Sequence, residues 1–150
     1  SPYEGHDNYL AYTRSVFEEG RDSCLKLIEN AENFSLSPTI CESGYFLPVT
    51  LPKNAKDLIP DKYFEPNVNY EDDAQTLVNQ MQFPSEYKEV PLDFAFCRYL
   101  AIEKGLCIMP ISNVCLHESP HRVTDMIRIA VCKTPETFQN PDLIARFKDL

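Results

Sequence analysis

The stretch DMIRIAVCK, residues 125–133, sets a permanent charge inside a nearly apolar run. Ile127, Ile129 and Val131 alternate as the buried face of a β-strand, and Arg128 points the other way beside Met126 and Ala130. A cation among such neighbours must meet an anion or reach water. Guanidinium is planar and offers two parallel donors, a geometry that fits a carboxylate better than a lysine does. A charge-assisted hydrogen bond of that kind contributes roughly 1.5–3 kcal/mol. Two readings stand: Arg128 faces a cleft and takes a small organic acid, or it pairs with one of the chain's own acidic residues.

The other reactive residue types form weaker patterns. His117 and His121, with Glu118 between them and Cys115 nearby, have the i, i+4 spacing of zinc ligands on a helix. Pro120 opposes a helix there, so the stretch reads as a polar loop and no metal site is expected. No serine or cysteine sits in a G-x-S-x-G elbow. The carboxylates are scattered, and no acid–base pair stands out. Arg21 follows Gly20 on a helical stretch and reads as structural, with Glu18 at pairing distance. The only glycines are Gly5, Gly20, Gly44 and Gly105, too far apart for a phosphate-cradling loop.

The elements that must position these residues follow from periodicity. Residues 8–31 read as a long leading helix, with Leu10, Phe17, Cys24 and Ala31 at heptad spacing and Gly20 as a point where it could bend. Its first half carries few bulky apolar residues and leans on something outside the chain. Residues 34–38 and 43–49 are strand candidates, and Pro48 makes the second an edge strand or its end. Residues 51–90 are acidic and proline-punctuated, a surface insertion with a short helix over 72–82. Residues 91–105 form the clearest helix, from Pro91 to a stop at Gly105. A strand follows at 106–109, then the polar loop, then the arginine strand at 126–132. Thr134 and Pro135 open a final helix that Pro141 splits. The expected class is α/β: a small mixed sheet of three or four strands with helices packed on one face.

Composition narrows the partners. A length of 150 residues suits one domain, and 43% hydrophobic content is that of a globular protein. The net charge of −9 disfavours nucleic acid and anionic membranes. No apolar run is long enough to cross a bilayer. The six cysteines are irregularly spaced without a C-x-x-C pair, which points to a reducing compartment.

Four stretches, GRDSCLKLIENAENFSLSP, SGYFLPV, PLDFAFCRYLAIEKGLCIMPIS and DMIRIAVCKTPETF, resemble in that order the C-terminal part of class I/II, fold-type I aminotransferases. The likeness is to the kynurenine aminotransferase group, which overlaps glutamine transaminase and cysteine-conjugate β-lyase activities. It implies that residues 1–150 are the small domain, with 1–20 the interdomain part of the leading helix. It implies that Arg128 binds the substrate α-carboxylate, and that Gly44, Tyr45, Pro110 and Ser112 line the active site. Pyridoxal phosphate would serve the parent enzyme, a homodimer acting on amino acids and 2-oxo acids in the cytoplasm, with the mitochondrion as the alternative. The Schiff-base lysine and phosphate-binding residues belong to a large domain ahead of Ser1, so this chain alone holds no catalytic or cofactor-binding residue and is expected to be inactive. Ser43 replaces the first glycine of the family's Gly-Gly pair, and Pro48 interrupts the strand after it. These departures keep open a second reading, a non-catalytic binding or assembly module that retains the fold.

Overall fold

The computed structural model describes residues 1–66, 89–115, 119 and 121–150. The helix expected at 72–82, together with His117 and Glu118, lies outside the described residues. The chain divides into two compact units, Ser1–Val49 with Ile129–Leu150, and Thr50–Arg128. The fold is α/β, with a long leading helix and a small four-stranded antiparallel sheet. The strands are β1 (Ser37–Pro38), β2 (Phe46–Thr50), β3 (Met109–Pro110) and β4 (Met126–Ala130), hydrogen-bonded in the order β1-β2-β4-β3.

In the first unit, helix α1 (Tyr9–Glu29) starts where the Asn8 side chain accepts the Ala11 N–H at 3.0 Å. The heptad stripe is buried only in its second half, at Cys24, with Leu27 and Ile28 beside it, while Leu10 is 78% exposed. Helix α1 continues through Gly20, which is packed so closely that a Cβ there would collide with the Val131 carbonyl oxygen and press on the Phe138 ring at 3.3 Å. Before the helix, Tyr3 and His6 exchange backbone hydrogen bonds of 2.9 and 2.8 Å, and the Tyr3 ring packs edge-on against Tyr9 and Tyr12. At the other end of the chain, α4 (Pro135–Phe138) and α5 (Pro141–Lys148) pack on α1. Asn140 caps α5 through the Asp142 and Leu143 N–H groups, so Pro141 opens a new helix as expected.

Pro48 does not make β2 an edge. β2 lies inside the sheet, and Pro48 contributes its carbonyl, which accepts the Thr39 N–H at 2.8 Å. The missing donor is tolerated because β1 is only two residues long and asks little of its neighbour.

In the second unit, the described part of the 51–90 segment is mostly exposed and is anchored by four buried residues. Leu51, Ala55, Ile59 and Tyr63 recur every four residues and are buried. Ala55 opens the short helix α2 (Ala55–Leu58), and Tyr63 sits in a 3₁₀ turn, Asp61–Phe64; both pack on α3 (Leu92–Tyr99). The prolines that suggest a loop instead separate short helical turns. Helix α3 buries Phe94, Ala95, Phe96 and Cys97 in succession, as a helix covered on several sides must. It runs into a π turn, Leu100–Lys104, closed by Gly105 at φ +63°. The strand expected at 106–109 is shorter and later, at Met109–Pro110.

Candidate functional site

Arg128 stands in the second unit, on the inner strand β4, opposite Met109, while Pro110 stands opposite Ile127. The alternation anticipated in the sequence is present: Ile127, Ile129 and Val131 are buried, and Met126, Arg128 and Ala130 are half-buried. The strand therefore shows Arg128 on its partly open face. Its positive charge acts on Cys97 of α3, slightly offsetting the burial that pushes that thiol well above its ordinary pKa.

The turn after β3 is fixed by a carboxylate. Asp93, fully buried in the first turn of α3, accepts the Ser112 N–H at 2.7 Å on one oxygen and the Phe94 N–H at 2.9 Å on the other. Ser112 itself is buried, and the Ile111 N–H meets the Met126 carbonyl at 3.2 Å. Burial raises the Asp93 pKa above the ordinary carboxylate value, against the pull of the Ser112 and Phe94 amides. Pro110 and Ser112 are thus held on the strand and turn that border Arg128.

A second buried charge on α3 was not anticipated. Arg98 donates to the carbonyls of Glu65 at 2.7 Å, Tyr63 at 3.2 Å and Pro66 at 3.5 Å, and its guanidinium stacks on the Phe94 ring. Nearby, Glu103 accepts from Tyr63 Oη at 2.5 Å and Lys62 Nζ at 2.8 Å, which holds its carboxyl below the ordinary value. The signal for Arg98 was available: FAFCRYL is an apolar run carrying one arginine, the same pattern that singles out Arg128. Asp93 was signalled by an acid in the first turn of a helix.

Gly44 and Tyr45 belong to the first unit. Gly44, at φ +104°, turns the chain into β2. Tyr45 packs edge-on against Phe17 and its carbonyl accepts the Val131 N–H at 2.9 Å. A cavity of about 480 Å³ opens here. α1 lines one side with Phe17, Arg14, Glu18 and Arg21, and the segment Cys41–Leu47 lines the other with Glu42, Ser43, Gly44 and Phe46. Of the expected site residues, only Gly44 is at this wall; Arg128, Pro110 and Ser112 are grouped in the second unit.

No protein-family model matches the chain, and no curated protein matches it. Its fold is similar to a solved structure, YbdL from Escherichia coli, described as having a methionine aminotransferase function. The superposition has a TM-score of 0.50 at 20% sequence identity and covers 91% of this chain. The chain spans only 25% of the length of YbdL. The likeness is one of fold, shared with part of YbdL.

Pyridoxal phosphate, the cofactor the sequence resemblance implies for a parent enzyme, needs a lysine amine to hold its aldehyde carbon. The described residues around the cavity offer Arg14, Arg21 and the hydroxyls of Thr13 and Ser43, and no lysine. They do not fit the covalent attachment.

Proposed function

We propose that the chain is the small, C-terminal part of a pyridoxal-phosphate-dependent aminotransferase that moves amino groups from kynurenine, glutamine or aromatic amino acids to 2-oxo acids. Its own share is to hold the substrate α-carboxylate on Arg128. The observation that carries this reading is the placement of Arg128 on the half-buried face of β4, between the buried Ile127 and Ile129 and beside the strand bearing Pro110. A guanidinium on an inner strand has little freedom, so its fork would present two parallel donors in a fixed direction. A carboxylate gripped by both oxygens loses rotation, and its α-carbon is oriented for whatever chemistry the rest of the enzyme supplies.

The test uses the longer polypeptide that carries a pyridoxal-binding domain ahead of this chain. Arg128→Ala should raise KM for the amino acid at least about tenfold, the loss of one charge-assisted bond, with the cofactor still bound. Arg128→Lys should recover part of that loss, since it restores the charge without the fork. An unchanged KM in Arg128→Ala would remove the residue from this role. A transcript encoding no such domain would instead favour the binding or assembly module.

A further inference from the structure

Three consecutive carbonyls lead into the arginine strand, and a different segment takes each one. Thr124 accepts the Asp93 N–H at 2.9 Å, Asp125 accepts the Leu51 N–H at 2.8 Å, and Met126 accepts the Ile111 N–H at 3.2 Å. The Asp93 carboxylate also takes the Ser112 N–H, at 2.7 Å. Asp93 therefore holds both members of the strand pair, β4 at its entry through the main chain and β3 at its exit through the side chain. The grips lie at Ser112 and Thr124, a few residues along the chain from Met109 and Arg128, which face each other across the pair. So little chain lies between that a shift at either grip passes into the direction of the arginine.

The side chain at position 93 points the same way. A serine or asparagine would cap the first turn of α3 without placing a charge at a site that is 0% exposed. A carboxylate offers two equivalent acceptors, and here one oxygen serves Phe94 in the helix while the other serves the turn. The amide of asparagine has one acceptor oxygen and would turn its NH2 toward the second N–H. Water is no substitute, because Ser112 is buried as well. Asp93 and Arg128 also act on one thiol, Cys97, with opposite sign, so both charges lie within electrostatic reach of the same atom.

We propose that Asp93 is a positioning residue for Arg128: by pinning the turn after β3 and the entry to β4 to one point on α3, it fixes the direction in which the guanidinium presents its two parallel donors. The inference rests on the reading of Arg128 as the grip for a substrate carboxylate, and adds to it a residue that touches no substrate. A fork already held in place binds a carboxylate without first losing its own freedom. A fork on a shifted strand meets the carboxylate at the wrong angle.

The test is a double-mutant cycle in the longer polypeptide. Asp93→Asn should raise KM for the amino acid at least about fivefold and leave kcat within about twofold, since a grip weakened equally in ground and transition states shows in KM alone. In the Arg128→Ala background the same substitution should change KM by less than about twofold, because the side chain it positions is gone. The dissociation constant of 3-phenylpropanoate, a carboxylate with no amino group to transfer, should follow the same pattern. Asp93→Glu keeps the charge and moves the carboxylate by one methylene, about 1.5 Å, so it should raise KM too. It carries the same cycle if Asp93→Asn does not fold. A parent-like KM in the Asp93 variants, or an equal rise with and without Arg128, would overturn the inference and leave Arg128 in its role. An unchanged KM in Arg128→Ala removes that role and this inference with it.

Discussion

Helices α1 and α3 carry charge under opposite conditions. On α3, Asp93 and Arg98 are buried, and their described hydrogen bonds run to the main chain: two amides for the carboxylate, three carbonyls for the guanidinium. On α1, Arg14 and Arg21 answer to Glu18 and Asp22 of the same helix, where solvent can reach them. A backbone partner cannot leave without the fold opening around it. A side-chain partner can rotate away at little cost. Charge on α3 is therefore committed to holding segments in place, and charge on α1 can exchange its partner for water. Removing one member of a buried set costs several kcal/mol, whereas exposed pairs contribute little.

The largest break in that contrast would come at Asp93. Asp93→Ala strands two buried amide donors, and the loss should be about 3 kcal/mol in urea denaturation. Asp93→Asn keeps acceptor oxygen without charge and isolates the titration. A carboxyl whose pKa is higher folded than unfolded binds its proton more readily in the native state. Its contribution to stability therefore grows as pH falls through the folded value toward that of the unfolded chain. The stability of the parent relative to Asp93→Asn should rise as pH is lowered from neutral into the carboxylate range. Glu103 has the opposite sign: its pKa is depressed, so its contribution is present above the ordinary glutamate value and is lost on acidification. A parent-minus-variant difference that shrinks as pH is lowered would mean that the amides outweigh burial at Asp93.

Much of this was legible in the sequence, and the failures have physical reasons. Strand β4 was clear because three β-branched residues at period two leave no alternative, and α3 because Pro91 and Gly105 bracket an apolar run. The anchoring of residues 51–66 was not legible because prolines dominate a local reading, while the four-residue recurrence of Leu51, Ala55, Ile59 and Tyr63 shows its meaning only against α3. Gly20 is the sharpest case. Helix propensity counts it as a defect, yet the close approach of the Val131 carbonyl needs it. Of the candidate site, Arg128 was legible as a charge out of place. The cavity was not, since it joins α1 to residues twenty or more positions away, Val131 among them, and none of its charges breaks a pattern. Gly20→Ala sharpens the contrast between the helices by testing packing alone on α1. Propensity would favour the variant by about 1 kcal/mol. Overpacking against a backbone atom should outweigh that gain and leave a net loss of about 1–2 kcal/mol, read as a lowered denaturation midpoint. A stabilised variant would mean that α1 stands off from residue 131.

The smallest effect is expected at Arg14. Its bond to Glu18 Oε1 at 2.9 Å is as short as the one Asp93 accepts from Phe94, and the neighbouring carboxylate raises its pKa. Length is a poor guide here, because 80% of the Arg14 side chain is exposed and water replaces the partner at once. The order of the pair, basic residue first, is also the weaker one along a helix. Arg14→Gln should leave the denaturation midpoint where it is, and raising the salt concentration should move parent and variant together. A clear loss of stability would place Arg14 among the committed charges with Asp93 and Arg98. The contrast would then lie between Arg21 and the rest rather than between two helices.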